Sequence, residues 1–145
     1  MPNIEDFNND FAGFNAALID EFRNNAGHVT GMFAGAPIVL ITTTGAKSGK
    51  RRTTPIVYTT DGDNVVIIAS KGGAPTSPDW YHNLVANPDV TVELPSETFE
   101  ARARVTEDPE RERLFRAQAA IMPNFAEYEK ATSRKIPVVV LERVS

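Results

Sequence analysis

A cluster of basic and hydroxyl side chains occupies the stretch TTTGAKSGKRRTTP, which begins at Thr42. Four of its residues are basic, and its two glycines can take backbone angles closed to other residues. Such a turn can direct backbone N–H groups and cationic side chains at one anion. The order matches neither the Walker phosphate loop nor the dinucleotide fingerprint Gly-x-Gly-x-x-Gly, so a phosphate cradle and a solvated surface turn both stay open.

A second anion-friendly stretch follows in SKGGAPTSPDWYHNL. Lys71 with Gly72 and Gly73 forms another flexible basic loop. The segment after it predicts a short helix with Ser77 as N-cap and Pro78 at the first helical position, and its free N–H groups also favour negative charge. Two such turns around one hairpin suit a ligand with an extended acidic tail.

The composition restricts the class of protein. At 145 residues and 41% hydrophobic content, we expect one domain over residues 1–145. The absence of cysteine excludes a disulfide framework, a thiolate nucleophile and a zinc ribbon, and we predict no metal site. A net charge of −4 argues against nucleic-acid binding. No long apolar run or signal-peptide pattern is present, so we expect no membrane span and a cytoplasmic location.

The N-terminal segment has helical periodicity. Apolar residues recur at steps of three and four, which predicts an amphipathic helix over residues 1–27 that stops at Ala26-Gly27. Its acidic character favours packing on the core over membrane binding. The apolar positions are Ile4, Phe7, Phe11, Phe14, Leu18 and Phe22.

The rest of the chain reads mainly as strands. PIVLITTT predicts one strand, and TPIVYTTDGDNVVIIAS predicts a hairpin whose second arm, Val65 to Ala69, is covered on both faces. Two alternating strands start near Val90 and Ala101, and KIPVVVLERV ends the chain as a further strand.

Two helices are predicted before the last strand. One starts at Asp108-Pro109 and runs to about Ile121; after Pro123, Asn124 is expected to cap a second helix to about Ala131. The order of elements lacks regular βαβ alternation. We therefore predict an α+β fold with a barrel of about six mainly antiparallel strands over residues 36–145, instead of a Rossmann sheet.

Three segments together carry a family resemblance: TTTGAKSGKRRTTPIVY, ASKGGAPTSPDWYHNLVANPDVTVEL and YEKATSRKIPVVVLE. From about Phe33 to the C-terminus the chain resembles the deazaflavin-dependent nitroreductase family, split β-barrel oxidoreductases that use coenzyme F420. The resemblance implies a barrel of the FMN-binding, flavin-reductase type. It also implies hydride transfer from the reduced deazaflavin to a quinone, an activated enone or a nitroaromatic.

The resemblance assigns site residues by position. The coenzyme's phosphate and glutamyl tail would be held by Lys47, Ser48, Gly49 and Arg52, with Arg51 as a neighbour that compensates for Ala46, where the family usually has a basic residue. The ring wall would comprise Thr54, Pro55, Ile68, Ala69, Ser70, Lys71, Gly72 and Gly73. The helix that closes the coenzyme site would contribute Pro78, Trp80, Tyr81 and Asn83.

The implied acceptor wall departs from one known family pattern, Tyr-x-x-Tyr-x-x-Tyr. The matching residues here are Met122, Phe125 and Tyr128, so we expect a different range of acceptors, and the sequence leaves open whether bulky nitroimidazoles are reduced. Tyr128, Ser70 or solvent could supply the proton that follows the hydride. Tyr128 could equally be a core residue with its hydroxyl at the edge, and Ser70 a strand-end hydroxyl bonded to backbone.

Three alternatives stay open. An FMN- or haem-binding split barrel would keep the fold and change the cofactor. A non-catalytic carrier of coenzyme F420 would bind the deazaflavin without turnover. A nucleic-acid-binding barrel is the third, although aromatic residues do not interleave with the basic ones. Both a monomer and a homodimer are compatible with the sequence.

Overall fold

The computed structural model describes residues 11–30, 35–70 and 77–144, with side chains from residue 15 onward. Its strands are β1 (Ile38–Thr44), β2 (Arg51–Asp61), β3 (Asn64–Ile68), β4 (Asp89–Glu93), β5 (Thr98–Val105) and β6 (Val138–Arg143). They close into one antiparallel barrel in the order β1-β2-β3-β6-β5-β4. The predicted α+β barrel is therefore confirmed.

The described helices are α1 (Phe11–Asn24), α2 (Asp79–Ala86), α3 (Glu110–Ile121) and α4 (Asn124–Ala131). None of them is long and apolar enough to cross a membrane. The predicted N-terminal helix is present but ends at Asn24, because Ala26 and Gly27 have φ angles of 52° and 87° and reverse the chain. Its first ten predicted residues, with Ile4 and Phe7, lie outside the described residues, as do the side chains of Phe11 and Phe14.

Alternate residues of every strand fill the barrel interior, as the two-residue period of a strand requires. Trp80 and Leu84 of α2 close one end of this interior. The outer surface of β3 and β6 packs under α3 and α4, and the outer surface of β1 packs under Leu18 and Phe22 of α1. The β3 strand is thus covered on both faces, which confirms its predicted central position.

The register leaves an opening beside β2. Its pairing with β1 continues from Ile38↔Val57 to Thr44↔Arg51. Among the described residues, its pairing with β3 covers only the hairpin end, from Asp61↔Asn64 to Tyr58↔Ile67. In the first half of β2, the backbone edge that faces away from β1 is therefore not paired with β3. This edge lies at the end of the barrel where β3 ends.

Two predicted helix caps are wrong. Helix α2 begins at Asp79, one residue later than expected, and its N-cap residue is Pro78, with no side-chain cap. The Ser77 hydroxyl instead accepts a hydrogen bond from the Arg134 guanidinium, at 3.4 Å. Helix α4 has Pro123 as its N-cap residue, and the amide of Asn124 bonds elsewhere, as described below. Both polar side chains were diverted from capping by partners that local sequence rules do not consider.

Candidate active site

The segment from Gly45 to Arg52, here called the basic turn, joins β1 to β2. The Gly45 N–H donates to the Lys50 carbonyl at 2.8 Å, and the Gly49 N–H donates to the Gly45 carbonyl at 3.0 Å. Gly49 has a φ angle of 69°, which L side chains rarely adopt. Gly45 is needed for space, because a Cβ there would collide with Ser48 Oγ and lie 3.3 Å from the Lys50 carbonyl oxygen.

Most backbone N–H groups of the basic turn are used inside the protein. Besides the two glycines, Ala46 donates to Asn83 Oδ1 at 3.0 Å and Lys50 donates to Ser48 Oγ at 3.2 Å. We expected the glycines to let successive N–H groups converge on an anion. These bonds occupy four N–H groups and leave those of Lys47 and Ser48 at the tip of the turn for an anion, so side chains must provide most of the positive charge.

Helix α2 holds the basic turn in place. Asn83 accepts from Ala46 and also lies with its Nδ2 3.4 Å from Thr43 Oγ1, while Asn87 donates to the Thr44 carbonyl at 3.3 Å. Trp80, three residues before Asn83, is buried in the barrel interior. Because Trp80 and Asn83 are three residues apart, α2 packs on the barrel through the tryptophan and bonds to the basic turn through the asparagine.

The cations of the basic turn are uncompensated. Lys47, Lys50, Arg51 and Arg52 are all exposed, and within the described part of the chain none of them forms an ion pair with a carboxylate. Elsewhere, each of the following cations does form one: Arg23, Arg102, Arg104, Arg111, Arg113, Arg116, Lys130, Lys135 and Arg143. Within the described ranges, exposed cations without a carboxylate partner are thus concentrated in the basic turn.

Arg51 and Arg52 serve opposite faces of β2, since successive strand residues point to opposite sides. The Arg51 guanidinium donates to Thr44 Oγ1 at 3.1 Å and to Thr91 Oγ1 at 2.8 Å, and the Thr91 hydroxyl in turn donates to Glu100. It therefore lies along the outer polar surface of β1 and β4. The structure does not bring the two guanidinium groups to one face.

The implied ring wall has an accessible and a buried part. Thr54 and Pro55 are half-buried in the section of β2 that borders the opening. Ile68, Ala69 and Ser70 are buried, and the Ala69 N–H already donates to the Pro137 carbonyl at 2.9 Å. Three further predicted members, Lys71, Gly72 and Gly73, lie outside the described residues.

Arg134 is a site residue that our sequence interpretation did not single out. Its guanidinium donates to the Ser70 carbonyl at 2.8 Å and to Ser77 Oγ at 3.4 Å, so it joins the two described residues that flank residues 71–76. Burial lowers the pKa of the Arg134 guanidinium. The residue belongs to the matching segment YEKATSRKIPVVVLE, but arginines are usually exposed, and nothing local indicates a half-buried one.

The implied acceptor wall comes together beside β3. Phe125 is buried in one apolar cluster with Ile68, and the half-buried Met122 and Tyr128 pack against that cluster. The Phe125 and Tyr128 rings meet edge to face, with centroids 5.3 Å apart. The Tyr128 hydroxyl accepts a hydrogen bond from Asn124 Nδ2 at 2.8 Å.

Behind Met122 lies a buried amide. Gln118 Nε2 is 3.3 Å from the Met122 sulfur, whereas Gln118 Oε1 has no hydrogen-bond partner. A buried carbonyl oxygen without a donor is unusual in a native core. Gln118 is therefore a polar residue under the acceptor wall that the apolar pattern of α3 did not reveal.

Comparison with known proteins identifies the family. The sequence profile of the F420H2-dependent quinone reductase family matches residues 17–143. An F420H2-dependent quinone reductase of Mycobacterium tuberculosis is 44% identical over 126 residues, which cover 84% of this chain and 85% of that protein.

Solved structures agree with this assignment. One described as an F420-H2 dependent reductase is 43% identical, with a TM-score of 0.68 and coverage of 73% of this chain and 94% of its own. A haem storage protein of Vibrio cholerae, HutZ, has a TM-score of 0.59 over 88% of each chain but 13% identity, and so shares the fold alone. The chain thus belongs to the F420H2-dependent quinone reductase family, which confirms the predicted class of deazaflavin-dependent split-barrel oxidoreductases and coenzyme F420 as that family's cofactor.

Proposed function

We propose that this protein binds F420H2 with its basic turn and reduces a quinone or a similar electrophilic acceptor at the wall formed by α3 and α4. The observation that carries this proposal is the group of exposed cations, Lys47, Lys50, Arg51 and Arg52, which have no carboxylate partner in the part of the chain that the structure describes. A phosphodiester with a glutamyl tail supplies several negative charges, which fits a surface with several uncompensated positive ones.

Different parts of the basic turn have different tasks. Lys47 and Arg52 are the principal side-chain donors to the coenzyme's phosphate and tail, and the N–H groups of Lys47 and Ser48 are available beside them. Gly49 fixes the turn through its positive φ angle. Arg51, bonded to Thr44 and Thr91, contributes its charge at a distance and organises the outer face of β1 and β4.

The ring lies along the opening beside β2. The edge of β2 at the opening offers the Pro55 carbonyl as an acceptor to the polar rim of a flat heterocycle, since Pro55 has no N–H and the Thr54 backbone pairs with Ile41 of β1. Ile68 and Ala69 limit the site from the barrel side, and Trp80 and Asn83 hold the helix that closes it. When bound, the reduced coenzyme supplies a hydride; the chain's own residues orient the acceptor and exclude water.

The acceptor binds against Met122, Phe125 and Tyr128. This wall carries one phenol between the ends of α3 and α4, so shape and apolar contact dominate acceptor recognition. After hydride transfer the reduced acceptor needs one proton. The half-buried Tyr128 is the better placed donor than the buried Ser70.

A similar solved structure supports a homodimeric state. A chain described as a domain-swapped dimer is 43% identical, with a TM-score of 0.68 and coverage of 73% of this chain and 80% of its own. We propose that this protein also forms a homodimer and acts in the cytoplasm. Light scattering of the purified protein tests the first point, and fractionation of the native host tests the second.

The decisive experiment is a titration of the purified protein with oxidised coenzyme F420 at low salt, with fluorescence as the measure of binding. Replacement of Lys47 and Arg52 by alanine should weaken binding on the order of a hundredfold, because charge-assisted hydrogen bonds contribute about 1.5–3 kcal/mol each. The loss should shrink as salt screens the charges. FMN and haem are titrated in parallel, since preferential binding of either would replace the proposed cofactor.

A matched control separates local from overall charge. Arg102→Ala with Lys130→Ala removes two exposed cations that do have carboxylate partners, Asp89 and Glu127. At about 0.15 M salt, where the Debye length is about 8 Å, its affinity for F420 should stay within about twofold of the wild type, because charges farther away than that are screened. Equal losses in both double variants would eliminate the basic turn as the coenzyme site. Tight F420 binding without turnover of naphthoquinone, cyclohexenone or a nitroaromatic would indicate a carrier.

A further inference from the structure

The first residue of α4 uses its side chain in an unexpected way. Asn124 is a residue type that favours helix caps, yet Pro123 occupies the N-cap position and no side-chain cap is formed. Asn124 Nδ2 donates instead to the Tyr128 hydroxyl oxygen, at 2.8 Å. The spacing of four residues places both side chains on one face of the helix.

This bond determines what the phenol can do next. A tyrosine hydroxyl has one proton to donate and lone pairs to accept with. Because Asn124 occupies a lone pair, the proton of Tyr128 remains available to another acceptor. The same bond becomes charge-assisted, and therefore stronger, when Tyr128 loses its proton. The amide can thus hold the Tyr128 oxygen in the same place before and after the proton is transferred.

The rest of Tyr128 is fixed by apolar contacts. Its ring meets Phe125 at an interplanar angle of 74° and packs against the cluster that contains Ile68, next to Met122. The ring plane is therefore set by Phe125 and the oxygen by Asn124. Both constraints act on the only phenol of the implied acceptor wall.

We propose that Asn124 is a positioning residue, which holds the Tyr128 hydroxyl ready to protonate the reduced acceptor. This inference rests on the proposed function. In the balanced step, the acceptor gains a hydride from the coenzyme and becomes an anion. The Tyr128 O–H bond then breaks, the proton joins that anion, and the phenolate is reprotonated by water.

The acceptor itself offers a test, because reduced acceptors differ in basicity. Hydride addition to cyclohexenone leaves a strongly basic enolate, whereas reduction of naphthoquinone leaves a weakly basic hydroquinone anion. General acid catalysis contributes roughly a hundredfold or more where the anion is basic, so Tyr128→Phe should lower kcat for the enone by about that factor. Asn124→Ala should lower it on the order of tenfold, with KM unchanged, and should lower kcat for the quinone by less than about threefold.

An isosteric variant separates this role from a structural one. Asn124→Asp keeps the shape and places a negative charge in the first turn of α4, which the helix dipole favours, so Tm should not fall. The carboxylate no longer donates to the phenol and opposes formation of the phenolate. We expect kcat for cyclohexenone to drop at least as far as in Asn124→Ala, while the affinity for oxidised F420 stays unchanged in both variants.

A double variant completes the test. In a Tyr128→Phe background, Asn124→Ala should cause no further loss, because the hydroxyl it acts on is gone. If Asn124→Ala lowered kcat equally for both acceptors and lowered Tm as well, the Asn124–Tyr128 bond would have only a structural role. A further loss of kcat in the Tyr128→Phe background would lead to the same conclusion. Full activity of Tyr128→Phe would overturn the inference and leave the proposed function intact. A wild type that binds no F420 would overturn both.

Discussion

The basic turn and the surface around α3 differ in whether their cations form ion pairs with carboxylates. On α3, Arg116 pairs with Glu112 of the same helix and with Glu129 of α4. Arg113, also on α3, pairs with Asp61 of β2. These arginines join elements that must stay together. In the basic turn, Lys47 and Arg52 form no ion pair with a carboxylate among the described residues. Because these cations form no ion pair within the described fold, they are available to bind an anionic ligand.

The largest effect is expected when a carboxylate is introduced into the basic turn, where it can pair with the neighbouring cations. Ala46 is exposed within the turn, and a glutamate there would compete with the coenzyme for the neighbouring cations. Ala46→Glu should weaken F420 binding at low salt on the order of tenfold, since a unit charge at about 4 Å contributes about 1–4 kcal/mol near a surface. Ala46→Arg should tighten it. Fluorescence titration of both variants checks the opposite signs.

Arg116→Gln provides the matched control in the paired region. It changes the net charge by the same amount as Ala46→Glu but removes a cation that bridges two helices. Exposed pairs contribute little each, so we expect a free-energy loss of about 1 kcal/mol at most and unchanged F420 affinity. Weaker F420 binding in this variant would mean that overall charge, and not the basic turn, governs affinity.

Acid should destabilise the fold by protonating the carboxylates that pair with arginines. Hydrogen bonds from arginines lower the pKa of several carboxyl groups below their usual values; these are Asp61, Glu97, Glu110 and Glu112. A carboxyl with a lower pKa in the folded state stabilises the fold above its unfolded pKa and loses that contribution as pH falls through the folded one. Stability to urea should therefore be constant from about pH 7 to 5 and decline below about pH 4.5. A constant midpoint down to about pH 3 would contradict this expectation.

The smallest expected effect concerns the one side-chain atom in the described core without a partner. Gln118→Met replaces the amide with an apolar chain of similar length and removes the unbonded Oε1. Because an unsatisfied buried acceptor costs about 1–3 kcal/mol, the variant should be at least as stable as the wild type, by up to about 1 kcal/mol. Thermal unfolding measures this, with Gln118→Glu as a control that should lower Tm. A large loss in Gln118→Met would indicate a bound water at Oε1.

The strands were predictable from the sequence because their information is local. The apolar run Val65 to Ile68 and the hairpin at Gly62 follow directly from period and turn chemistry, and the structure has both. The helix caps were not predictable, because Ser77 and Asn124 bond to Arg134 and Tyr128 instead of to their own helices. Such choices depend on tertiary neighbours.

The site was predictable in composition and less so in geometry. The basic residues of the turn were evident, but Asn83 takes an N–H of that turn across 37 positions of sequence. The separation of Arg51 from Arg52 depends on β2 starting at Arg51, earlier than the apolar run suggests. Arg134 was hidden because its partner at Ser70 is a backbone carbonyl, which no side-chain pattern encodes.

The bond between Asn83 and Ala46 also has a thermodynamic consequence. Because Asn83 of α2 accepts from the Ala46 N–H of the basic turn, the coenzyme site proposed here is complete only in the folded chain. A ligand that binds only the native state raises the free energy of unfolding by about 2.7 kcal/mol at a hundred times its Kd. The amount of F420 in the cell would then set how long the folded protein survives, and apoprotein made without the coenzyme would be the form most exposed to proteolysis.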